Sequence, residues 1–183
     1  GRPRADAPFA ARDAAPGVVL ERPDLKVTAV TVPHFQDHGV ESLGYRVDCA
    51  HGSVVITGDC RPSPAMTELA RGADVLIHEC AKLDGDMLKS GKLARNMPTE
   101  EPSGAHTTPT WLGKVARDTG VKHLIATHLA PLSTLPAAFA MSKVYYGNDQ
   151  PGPGFWDDFK RRIAQNYSGK LTLAEDGLVV KIG

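Results

Sequence analysis

Cysteine is scarce in this chain. Cys49, Cys60 and Cys80 are odd in number and no two stand in CxxC spacing, which argues against a disulfide framework and fits a reducing, cytoplasmic compartment. No apolar run approaches the roughly 18–20 residues that a membrane helix needs, so no membrane partner is expected. Charge of one sign is not in excess either. Lys plus Arg and Asp plus Glu number 21 each, so no global field draws the chain to nucleic acid or to anionic lipid. The opening stretch GRPRADAPFAARDAAPG has charge and proline but no apolar core, unlike a signal peptide. Residues 1–23 read as a mobile leader or linker. Residues 24–183 read as one domain, long enough to bury a proper core.

What is present is a set of apolar strings that end on reactive side chains. SVVITGDC ends on Asp59 and Cys60, ADVLIHEC on His78 and Glu79, and VKHLIATH on His128. Runs this rich in Val, Ile and Leu read as strands buried on both faces. Laid side by side in one direction, they would bring Asp59, His78, Glu79 and His128 to one rim of a sheet, where ligands of layered α/β proteins bind. Helical signals alternate with them: PAMTELARG opened by Pro62–Pro64, TPTWLGKVARDTG closed by Gly120, and an amphipathic stretch over 155–167. LGYRVD and SVVITG flank a CAHG turn and predict a hairpin. KLTLAED and GLVVKI predict a second one around Asp176-Gly177. The class is α/β, a mixed sheet with flanking helices.

Each candidate has a bland reading beside the chemical one. Asp59 after Gly58 can approach an ion and bridge two, but an isolated Gly-Asp more often caps a turn. His128 offers a common zinc donor at a strand end, where a hydrogen-bonded structural histidine is the usual finding. Strand alternation puts His78 and Glu79 on opposite sides; one is a proton relay and the other an anchor, in either order. His106 in GAHTTPTW suits a general acid at a loop edge, or simply flanks a helix capped by Thr107 or Thr108. His34 and His38 stand four apart, but Pro33 and Gly39 argue for a loop and against a shared ligand role. His51 and His123 read as solvated or structural.

Five strings in order, H-x-V-x-S-x-G-Y (38–45), TGD (57–59), ADVLIHEC (73–80), AHTT (105–108) and LIATHL (124–129), resemble the metallo-β-lactamase fold. They are most similar to its ribonuclease Z branch and related arylsulfatase-like and lactonase-like hydrolases. The resemblance implies that Asp59 bridges two metals and that His128 binds one. It implies Glu79 and His106 as relay and general acid, with His38 and Tyr45 on the substrate side. Two divalent ions are implied, zinc first, with manganese or iron as other options.

The family's His-x-His-x-Asp-His motif is absent from these residues. The resemblance therefore implies the C-terminal half of an αββα sandwich, completed by an N-terminal half carrying that motif, or by a homo-oligomer. Cys60 and Cys80 also depart from the family's usual Thr or Ser and Ala. The expected activity is hydrolysis of a phosphodiester, sulfate ester, lactone or other ester. Transfer-RNA 3′ processing is an alternative, disfavoured by the neutral charge. A non-catalytic scaffold or dimerisation half-domain is another.

Overall fold

The computed structural model describes residues 13–34, 41–84, 87, 105–129 and 154–182. Among them, seven strands form one sheet in sequential order. β1 (Gly17–Arg22), β2 (Leu25–Val32), β3 (Ser42–Cys49) and β4 (Gly52–Ile56) make an antiparallel meander. The direction then changes: β4, β5 (Val75–Glu79), β6 (His123–Thr127) and β7 (Lys170–Leu173) run parallel. Parallel neighbours need crossovers, and three helices supply them: α1 (Pro64–Ala70), α2 (Pro109–Thr119) and α3 (Phe155–Ala164). The parallel half therefore ends every strand at the same rim.

Local chemistry sets the helix ends. Ser63 caps α1, its side chain accepting from the Met66 N–H, with Pro64 as first residue. Thr108 does the same for α2 through Trp111, followed by Pro109, and Gly120 closes α2 in the left-handed conformation; these are ordinary start and stop signals. Alternate strand residues Val55, Leu76, Leu124 and Ala126 pack with Met66 and Leu69 of α1, Leu112 and Ala116 of α2, and Phe159 and Ile163 of α3 in a single core. At Gly113 the α2 backbone lies so close to the Ile163 carbonyl of α3 that a Cβ has no room.

The opposite sheet face is less evenly covered. Val75 and Ile125 are buried there, while Val54 and Ile77 are half-buried and Ile56 is 44% exposed.

Two expectations need correction. β1 falls inside the stretch read as leader, because its residues are mostly exposed and carry no core pattern; five of its residues nonetheless pair with β2, with a register shift between Val18 and Leu20. The C-terminal hairpin does not form. A turn does occur at Asp176-Gly177, with the Leu178 N–H on the Glu175 carbonyl, but residues 178–182 form no strand. β7 is instead a parallel neighbour of β6. By Ile182 the chain lies against Gly52, at the far end of β4, so it leads away from β7 and does not return beside it.

Candidate metal centre

The rim built by the parallel strands collects the expected residues. After β4, Thr57 continues the ladder with its N–H on the Ile77 carbonyl, 3.1 Å. Gly58 then turns the backbone at φ 60° and presents Asp59. After β6, His128 sits at φ 48°, in the left-handed region. His106 comes from the segment that precedes α2. Donor atoms of Asp59, His106 and His128 all lie within 4.8 Å of one another. The Asp59 Oδ2 to His128 Nε2 distance is 3.8 Å, and the His106 and His128 rings are 5.5 Å apart.

Glu79 sits beneath this group, 1% exposed. Its two oxygens accept the Ala81 and Thr107 N–H groups at 2.7 Å each. Oε2 is also 3.4 Å from Nδ1 of His106, a buried atom with no well-formed hydrogen bond. At that distance the pair is an ion-pair contact. The Glu79 carboxylate nevertheless raises the His106 pKa above the ordinary value, against burial and the Lys82 charge. Thr107 ties the pieces together, donating from Oγ1 to the Cys60 carbonyl, 2.9 Å.

His78 points into the core. It is fully buried, and Nδ1 lies 2.7 Å from the Glu79 carbonyl. A carbonyl only accepts, so Nδ1 carries the proton and Nε2 accepts. Its neighbour there is the Cys60 thiol at 4.0 Å. Burial, then Glu79, pushes that thiol up to about 12, so it stays protonated and inert.

Burial also lowers the pKa of His78 from its ordinary value of 6.5. A depressed folded-state pKa means stability that is present above about pH 6.5 and lost as pH falls through that range, because only the unfolded chain takes the proton readily. His123 has the same sign, while His106 has the opposite one. The unfolding free-energy difference between wild type and His78→Asn, from urea titrations, should therefore shrink between about pH 7.5 and pH 5. A constant difference would contradict a neutral buried ring.

The other named residues are not all gathered in. Tyr45 is half-buried in β3 opposite Ile56, the last residue of β4, and its register partner on the other side is Ala29. His38 lies outside the described residues. His51 is exposed in the β3–β4 turn, and His123 starts β6 with Nε2 2.8 Å from Thr172 Oγ1. His34, set aside as a ligand, stands at the site: its ring is 5.0 Å from that of His106. β2 runs in the same sense as β4, since both are antiparallel to β3. The strand-end signal that marks Asp59 therefore marks His34 as well.

The model of the beta-lactamase superfamily domain matches residues 6–129, more than half of the chain. Ribonuclease Z of Brevibacillus brevis is 35% identical over 78 residues, 43% of this chain and 21% of that protein. The metallo-beta-lactamase fold protein YhfI from Bacillus subtilis superposes with a TM-score of 0.58 at 19% identity, covering 88% of this chain and 51% of its own. Zinc-bound PqqB from Methylobacterium extorquens gives 0.55 at 16% identity, covering 93% and 55%. At these identities the two structures speak for the fold alone. The chain spans between 21% and 36% of the length of the curated relatives it matches.

Proposed function

This chain belongs to the beta-lactamase superfamily, and from that premise we propose that it carries the C-terminal half of a metal-dependent hydrolase site acting on a phosphodiester, sulfate ester, lactone or other ester. The observation that carries the reading is the meeting of Asp59, His106 and His128 donors within 4.8 Å. Of these, the Asp59 carboxylate and the His128 imidazole are a donor pair suited to zinc, with manganese or iron accepted by similar ligands, and His106 stands beside them as the proton donor. Asp59, with two carboxylate oxygens, and His128 are the residues of this chain that would hold the ions. A dinuclear centre needs more donors than these. We assign the remainder to an N-terminal half bearing His-x-His-x-Asp-His, in a longer form of this chain or in a separate one. The exposed Ile56 face supports such a cover, and a homo-oligomer is the other way to provide it. No helix among the described residues is long and apolar enough to cross a membrane, and the cytoplasm is the compartment proposed.

Divalent ions bound there supply an activated water and a Lewis acid. The chain's own contribution is to orient and to move a proton. Glu79, fixed by two backbone N–H groups, faces Nδ1 of His106 and favours the imidazolium. His106 then donates a proton to the leaving oxygen. His38 and Tyr45 are proposed on the substrate side.

The test is a calorimetric zinc titration of this chain, with hydrolysis of bis(p-nitrophenyl) phosphate measured alone and after adding a superfamily N-terminal half. Zinc binding by the chain, and hydrolysis in the mixture, are expected. No zinc uptake and no hydrolysis in either sample would sink the proposal. Ribonuclease Z activity is the second reading, favoured by the similarity over 78 residues. It requires RNA binding that weakens steeply with salt, and a flat salt response would remove it.

A further inference from the structure

We propose that His34 is a positioning residue whose ring braces the segment carrying His106, so that His106 stands over Asp59 and His128. What the braced group does rests on the hydrolase reading; the brace itself does not. Nδ1 of His34 lies 2.9 Å from the carbonyl oxygen of Ala105, 71 residues away. The carbonyl can only accept, so Nδ1 carries a proton and donates it to Ala105. The ring meets that of His106 edge-on, at 67° between planes, a favoured geometry for two aromatic rings. The His106 ring therefore neighbours both His34 and His128.

The residue before His34 does a related job. The Pro33 carbonyl accepts from the Arg61 N–H at 3.0 Å, two residues beyond Asp59. One dipeptide at the end of β2 thus holds both loops that bring the cluster together. The need for a brace follows from the local backbone. Residues 105–108 belong to no strand or helix, so no regular ladder fixes His106. The Thr107 N–H is held by Glu79, at 2.7 Å, and the Ala105 carbonyl by His34, two residues beyond β2. Anchors on both flanks of His106 come from two separate places, Glu79 in β5 and His34 just beyond β2. Among the described residues, the other hydrogen bonds from distant parts of the chain to this segment fall on Thr107, after His106. Without His34 the side before His106 loses its anchor, and the imidazole can swing out of register with its neighbours.

The test starts on metal-free protein, with long-range ¹H–¹⁵N spectra of the histidine rings and amide hydrogen exchange. A proton on Nδ1 of His34 is expected. His34→Ala should speed exchange of the Thr107 amide by about five- to tenfold, the worth of one ordinary hydrogen bond, with the Leu76 amide of β5 unchanged. His34→Asn, whose amide N–H can reach the same carbonyl, should restore most of the protection. In zinc-loaded protein complemented as above, His34→Ala should lower kcat about tenfold or more, since small misplacements are felt in the rate. KM should stay within about twofold, and His34→Asn should recover kcat. An unchanged Thr107 rate in His34→Ala, or an Asn variant no better than Ala, overturns the brace. If the exchange results hold but wild type hydrolyses no ester, the hydrolase reading fails and the brace stands.

Discussion

Asp59→Asn should lower the zinc affinity of this chain by more than about 100-fold and abolish hydrolysis, while the fold survives. The bound follows from a comparison: losing an outer-shell partner of a ligand already costs about 10–100-fold, and Asp59 is proposed as the ligand itself. Asn keeps the shape of the side chain but loses the negative charge and one of its two acceptor oxygens. The fold has little at stake, because the Asp59 side chain is 43% exposed and His128 is 3.8 Å away. Surface changes of that kind shift stability by about 0.5 kcal/mol or less. Competition with a chelating dye measures the affinity, and thermal unfolding provides the control. An affinity within about fivefold of wild type would put the metal elsewhere.

Glu79 should show the reverse pattern, with stability suffering first. Glu79→Ala removes the acceptor of two N–H groups, those of Ala81 and Thr107, at a position that is 1% exposed. Leaving a buried donor without a partner costs about 1–3 kcal/mol; this applies in full to the Thr107 N–H, while the half-buried Ala81 N–H adds less. Together they are a sizeable part of the about 5–15 kcal/mol that holds an ordinary domain together. Glu79→Gln keeps one carbonyl oxygen and should lose about half as much. It also removes the charge facing His106, so its hydrolysis should fall further than its stability does. Urea denaturation of the three proteins orders them. A Glu79→Ala protein within about 1 kcal/mol of wild type would mean that the two N–H groups find other partners.

How much of this was legible beforehand depended on whether the signal was local. The strands that end at Asp59, Glu79 and His128 are apolar runs that have no stable place except inside a sheet, so their existence and their reactive tips could be read directly. The superfamily and the α/β class were likewise readable from five short strings in order. For His78 and Glu79, alternation separated the two side chains but could not reach their partners. His78 is locked to its own neighbour's carbonyl, and Glu79 reaches across to Thr107.

The failures were non-local. The Asp176-Gly177 turn was real, but a turn does not decide which strand pairs with which. β7 finds its partner in β6, through contacts such as the Lys170 N–H on the Lys122 carbonyl. β1 was missed because an exposed edge strand has no apolar alternation to display. His34 was weighed against His38 as a helical pair, when the informative neighbour was Ala105, 71 residues on.

His128 carries a consequence for anyone who sets out to engineer this protein. Among the described residues it alone, glycines apart, has a positive φ, a conformation that disfavours most side chains by roughly 1–3 kcal/mol. Laboratory selection for heat tolerance, with no catalytic screen, would drift toward glycine at this position and gain robustness from the exchange. The more such a library improved by that criterion, the less of its chemistry it would keep. The ligand role proposed for His128 is what would account for a histidine where the backbone favours glycine.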